Sequence, residues 1–206
     1  MSVKDFLKWP DKRLRARAHG VAKITDDITS FWVDMIDTMN AMPGIGLAAP
    51  QIGIDLRLVV VDASETRNKP VRLANPEILQ SSLEYSEIEE ASPNFSGISA
   101  KIKIPKKVTV RFLNKDGFID RKDFSGLWAT SIQHQIDHLN GKMFFDHLSK
   151  VKRDILLRKV KKKRLGLFLW GPPNFLFRLL RLYMRVAIKY APFTLNHRGL
   201  QGVGNN

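Results

Sequence analysis

Two histidines four residues apart, His134 and His138 in the stretch "HQIDH" (134–138), are the first pair in the chain able to do chemistry. On a helix this spacing puts both imidazoles on one face, where they can grip a single metal ion. Zinc hydrolases with this pattern carry a glutamate directly after the first histidine, as the group that moves protons. Here that place is held by Gln135, whose carboxamide neither takes nor gives up a proton. The chain has no cysteine, which excludes disulfides and any thiolate ligand. Taken alone, the pair also fits a plainer role, two core histidines hydrogen-bonded inside a packed helix.

The element that must carry the pair is legible. From Leu127 to Leu139 the apolar period is helical, and Gly141 supplies the stop. Far upstream, Ile28, Phe31, Trp32, Met35, Ile36, Met39 and Met42 recur at helical spacing, with Thr25 or Asp26 as the cap. "MPGIG" (42–46) breaks that helix, and "LRLVVVD" (56–62) reads as a buried strand. "ISAKIKIP" (98–105) and "KVTVRFL" (107–113) alternate apolar and polar, and "NKDG" (114–117) turns into a short strand around Phe118. Strands first and a buried helix late predict an α+β domain with the histidine helix packed on antiparallel sheet. The 206 residues, 44% of them hydrophobic, suffice for one domain with its own core. No apolar run reaches the roughly 18 residues that cross a bilayer, and no leader pattern opens the chain.

Three stretches carry a family likeness. "GIGLAAPQIG" (44–53) sits between a helix and a strand, "HQIDHLNGKMFFDHLS" (134–149) contains the histidines, and "FLKWPDKRLRARAHGV" (6–21) opens the chain. Together they resemble the peptide deformylase family over residues 3–150. The resemblance implies the α+β deformylase fold, antiparallel sheets around a central histidine helix, and an iron, zinc or nickel ion held by two histidines and a cysteine. It assigns the histidine ligands to His134 and His138 and an oxyanion contact to Gln51, beside the retained Gly46 and Leu47.

The family's middle signature, Glu-Gly-Cys-Leu-Ser with a glycine three residues later, falls on "EASPNFSG" (90–97). Glu90, a supporting residue by the resemblance, and Gly97 match. Ser92 stands where the cysteine ligand is expected, and a hydroxyl is a poorer ligand than a thiolate. Pro93 replaces a leucine whose amide serves as an oxyanion donor; losing such a donor typically costs about 10²–10³ in rate. Gln135 replaces the general base, typically a loss of about 10²–10⁴. Glu89 or Glu90 is an alternative carboxylate ligand. These changes predict a deformylase-like protein with lost or strongly reduced activity, no metal or a weakly bound divalent one, and a cleft that still accepts an N-terminal Met peptide. Two alternatives stay open: an active metal-dependent deformylase removing formyl from the N-terminal Met of nascent proteins, and a membrane- or ribosome-tethered scaffold with a vestigial cleft. His19 and His197 read as solvent-facing, and His147 as packing.

Charge divides the chain. Residues 150–206 hold 14 Lys/Arg and one acid, Asp154, whereas residues 1–149 hold 20 Lys/Arg and 19 acids. This predicts a deformylase-like domain over 1–149 and a basic extension over 150–206, with an anionic partner for the extension. Within it, Arg178, Arg181, Arg185 and Lys189 fall in an arc of roughly 80° on an otherwise apolar helical run. An anionic membrane surface, ribosomal RNA and protein packing all suit such a stripe. The expected location is cytoplasmic, peripheral at a membrane or the ribosome, with an organelle left open.

Overall fold

The computed structural model describes residues 3–169 apart from 43 and 96, with side chains of the last helix described as far as Lys162. The cationic stripe from Arg178 to Lys189 and His197 lie outside the described residues.

Helix α1 (Asp26–Asn40) starts where Thr25 caps it, its Oγ1 accepting the Ile28 N–H at 3.4 Å, with Asp26 and Asp27 in the favourable first turn. Seven strands follow: β1 (Gly46–Ala48), β2 (Leu58–Val61), β3 (Val71–Ser81), β4 (Tyr85–Ala91), β5 (Ser99–Pro105), β6 (Lys107–Leu113) and β7 (Ile119–Ser125). They form a five-stranded sheet in the order β1-β2-β3-β6-β7 and a separate β4–β5 hairpin, with every pairing antiparallel. Helix α2 (Gly126–Leu139) carries the histidines, and α3 (Lys150–Leu169) follows.

The unbroken run Leu58–Val61 has a physical reason. Leu58 and Val60 pack with Trp32, Met35 and Met39 of α1, whereas Val59 and Val61 pack with Ile132, Ile136 and Leu139 of α2. Strand β2 is therefore covered on both faces and needs no polar alternation. Val108, Val110 and Phe112 of β6 close the core under α2. Neither β3 nor β4 was read from the sequence. In β3, Asn75 takes φ +50° where the β3–β6 register shifts, and its side chain bonds both the N–H and the carbonyl of Val21.

A third cluster joins Leu14, Phe95, Phe144 and Phe145 to Trp9 and to Leu156, Leu157 and Val160 of α3. Its rings meet at 5.0–5.6 Å, mostly edge to face. One compact unit runs from Met1 to Val160, and a second unit covers residues 161–206. Among the described residues no helix is long and apolar enough to cross a membrane.

Candidate functional site

A cleft of about 930 Å³ opens between β1, the hairpin strand β4 with the loop after it, and helix α2. Ile45, Gly46 and Gln51 line one wall, Ile88 to Pro93 line the other, and Thr130, Ser131, His134 and Gln135 form the floor. Phe6, Lys8, Phe95 and Ile98 also line it. Glycine at 46 is what lets β1 lie on the floor helix. A Cβ there would overlap Ser131 Oγ and come within 2.9 Å of Gln135 Nε2.

The structure places His134 and His138 as the spacing predicts. Their Nε2 atoms face one another 3.0 Å apart, with the rings at 73°. On its far side, His134 Nδ1 meets the Glu90 carboxylate. That contact fixes the tautomer: Nδ1–H donates to the carboxylate, so the Nε2 lone pair turns inward. Burial pushes the His134 pKa down to about 4, outweighing the charge of Asp137 that favours the protonated ring. Burial also holds His138 well below the ordinary imidazole range, helped by His134. Both imidazoles are thus neutral at pH 7, as metal ligands must be.

Glu90 lines the cleft wall with its carboxylate committed to His134 Nδ1, so it supports a histidine rather than serving as a third ligand. Among the described residues no group of three His, Cys, Asp or Glu gathers to hold an ion. Ser92 is buried at the cleft wall, its Oγ 3.0 Å from Asn94 Oδ1. Pro93 has no N–H to offer, and its carbonyl accepts Lys8 Nζ at 3.0 Å. Gln135 is buried on the floor, with Oε1 lacking any partner among the described residues. This acceptor can take a proton-bearing group of water or substrate. His138 Nδ1 is likewise unpartnered.

Other expected site residues are placed differently. The side chain of Leu47 lies wholly in the core beside α1, not in the cleft. Gln51 does line the cleft, but its carboxamide is engaged. Oε1 accepts the Ala48 N–H at 2.9 Å, and Nε2 donates to Asn94 Oδ1 at 2.9 Å. One of its two N–H bonds remains for a ligand. His147, read as packing, is half-buried and bonded to Asp137 at 2.5 Å, which raises its pKa. His19 is mostly exposed, beside Asp55 at 2.9 Å. Asn94, which bonds both Gln51 and Ser92 at the cleft wall, was not singled out from the sequence; its place inside "EASPNFSG" was the only signal.

The comparisons with known proteins decide the family. The family model described as polypeptide deformylase matches residues 3–154. The chain belongs to that family. It is 42% identical to a peptide deformylase of Bradyrhizobium diazoefficiens over 168 residues, 79% of this chain and 97% of that protein. A protein named peptide deformylase 1 from Pseudomonas syringae pv. tomato is 41% identical, over 79% of this chain and 97% of its own length. Among solved structures, a peptide deformylase from Legionella pneumophila superimposes with a TM-score of 0.73 at 39% identity, covering 80% of this chain and 98% of that one. One from Ehrlichia chaffeensis in complex with actinonin gives 0.73 at 36%, covering 79% and 98%.

These relatives overturn the expectation of lost or strongly reduced activity. That expectation weighed Ser92, Pro93 and Gln135 one letter at a time. Relatives named peptide deformylase instead match across most of the chain at around 40% identity. The structure also retains what position-by-position reading could not weigh: converging neutral imidazoles, a carboxylate fixing one of them, and an open cleft above.

Proposed function

We propose that the chain is an active, metal-dependent peptide deformylase that releases formate from the formylated N-terminal Met of peptides. The observation that carries this reading is the His134–His138 pair, 3.0 Å apart at Nε2, with His134 braced by Glu90 and lining the floor of an open cleft. Two imidazole lone pairs about 3 Å apart suit one shared divalent ion, for tetrahedral Zn–N bonds near 2.1 Å place the nitrogens a little over 3 Å apart. Such an ion, when bound, supplies Lewis acidity toward the formyl oxygen and toward water.

The chain's own residues do the rest. Among the described residues strand β1 pairs only with β2, which leaves its other edge for an extended peptide to add as a further strand. The free N–H of Gln51 is available to the formyl oxygen. Gln135 Oε1 holds a hydrogen-bond donor over the imidazoles without moving its proton. Glu90 keeps the His134 proton on Nδ1, away from the ion. Formate release from a formyl-Met peptide, measured on ion-loaded protein, should be readily detected and abolished in His138→Ala. Actinonin, carried by the Ehrlichia chaffeensis relative, should compete with substrate. An absence of formate release with iron, zinc, nickel and cobalt alike contradicts the reading.

For the extension, we infer peripheral docking on an anionic lipid surface. In α3, Leu156, Leu157 and Val160 face the protein, and the opposite side exposes Lys152, Arg158 and Lys159 together with Val151 and Ile155. These five fall within roughly 120°. Apolar side chains among the cations favour an interface over a purely phosphate-lined partner. Co-sedimentation with phosphatidylglycerol vesicles should persist at 0.5 M salt (about a 4 Å screening length). Binding lost at that salt, with RNA binding instead, contradicts it.

A further inference from the structure

Asp62, wholly buried at the end of β2, accepts the Ser64 N–H at 3.0 Å, the Ser64 hydroxyl at 2.5 Å and the Lys69 N–H at 2.8 Å. These bonds close the loop between β2 and β3 into one shape. From that loop Arg67 reaches the cleft wall, where its guanidinium donates to the carbonyl of Gly44. We propose that Arg67 is a positioning residue for peptide binding, clamping the outer end of the β1 edge on which the peptide lies. This deepens the deformylase reading and rests on it for the peptide, not for the hydrolysis.

The edge needs a hold from outside its own ladder. The Asp62 N–H donates to the Ile45 carbonyl at 2.8 Å, and Gly46 is the next residue, opposite Val61. Successive residues of a strand present their backbone groups to opposite sides, so the N–H and C=O of Gly46 face away from β2. A Cβ at Gly46 would meet Ser131 and Gln135, and Gln135 follows His134, which places Gly46 at the reacting end. A peptide running outward from there passes Ile45 and Gly44 on the same wall. Glycine at 44 and 46 gives this stretch the widest backbone freedom. Gly44 lies beyond the β1–β2 pairing; its N–H turns back onto the Met42 carbonyl at 2.8 Å, and its own carbonyl goes to Arg67. One side chain thus fixes the part of the edge that the ladder does not reach.

Arg67 holds this post at a local cost. Its φ of +53° lies in the left-handed region, and its Nε is buried with no hydrogen-bond partner among the described residues. Glycine would relieve the backbone, and an apolar side chain would leave no orphaned N–H. Backbone outliers of this kind cluster where a fold serves a task, and the described partner of this guanidinium is a carbonyl of the cleft wall.

The test uses the full-length, ion-loaded protein. Arg67→Met removes the donor and keeps the stem. For formyl-Met-Ala-Ser, KM should rise about 10-fold, the worth of roughly one hydrogen bond, with kcat within about twofold of the parent. The rise should be smaller for formyl-methioninamide, which ends before Gly44. A merely structural arginine would instead lower the folded fraction, and with it kcat, alike for both substrates. Arg67→Gly relieves the backbone, so it should melt no earlier than the parent yet bind as poorly as Arg67→Met. Titration with the product Met-Ala-Ser, free of turnover, should show the same loss of about 10-fold in both variants. Unchanged KM and product affinity, equal losses for the long and short substrates, or no product binding by the parent overturns the proposal. Product affinity lost in both variants, without formate release by the parent, sinks the deformylase reading alone. Release by the parent with both affinities unchanged sinks the clamp alone.

Discussion

At the scale of residues, the site is a set of hydrogen-bond commitments. Glu90 commits the Nδ1 proton of His134, and Asn94 commits the proton of Ser92. Glu90→Gln keeps the shape but weakens the acceptor, and ion affinity should fall by about 10- to 100-fold in a cobalt titration. Gln135 holds without transferring. Gln135→Glu would add a proton carrier, and kcat should rise by about 10² or more in a formate assay, with KM changed little. The histidine pair was legible in the sequence because helical spacing alone brings it together. The Glu90–His134 contact and the Asn94 hub were not, since their partners lie 44 and 43 residues apart. Leu47 keeps its motif letter, and its side chain serves the core.

At the scale of elements, α1, α2, β2, β5 and β6 were readable because periodicity and caps agree with tertiary burial. Strand β3 was hidden by its Asn-Pro interruption, which the fold turns into a bulge at Asn75. Strand β4 was hidden because its residues through Glu89 are exposed or half-buried, so no apolar face shows. The approach of β1 to α2 depends on Gly46. Gly46→Ala should cost about 1–3 kcal/mol in chemical denaturation, from overpacking against Ser131 and Gln135. The link between α2 and the following 3-10 turn is pH-sensitive. Asp137 raises the His147 pKa, so this pair stabilises fully below the unfolded value of 6.5 and fades as pH rises through the higher folded value. The loss of melting temperature in Asp137→Asn should accordingly be larger at pH 6 than at pH 9.

At the scale of the whole molecule, the aromatic cluster joins the opening segment, the loop after β4 and the start of α3. The loop bearing Ser92 and Asn94 runs directly into Phe95, which stacks on Trp9 at 5.2 Å and meets Phe145 edge-on at 5.0 Å. Ending the chain after Ser149 would remove Leu156, Leu157 and Val160 from that cluster. Stability should then fall by about 3 kcal/mol, read as a lower denaturant midpoint. Basic charge in the extension was legible as composition, but which face of α3 packs inward emerged only from the fold. The proposed function ties these levels to one divalent ion held between two imidazoles and to hydrolysis of a formyl amide. The decisive measurement is formate release as a divalent ion is titrated into ion-free protein. Rate should climb linearly and break at one equivalent per chain; a flat line at zero, or a rate indifferent to added ion, would contradict the account.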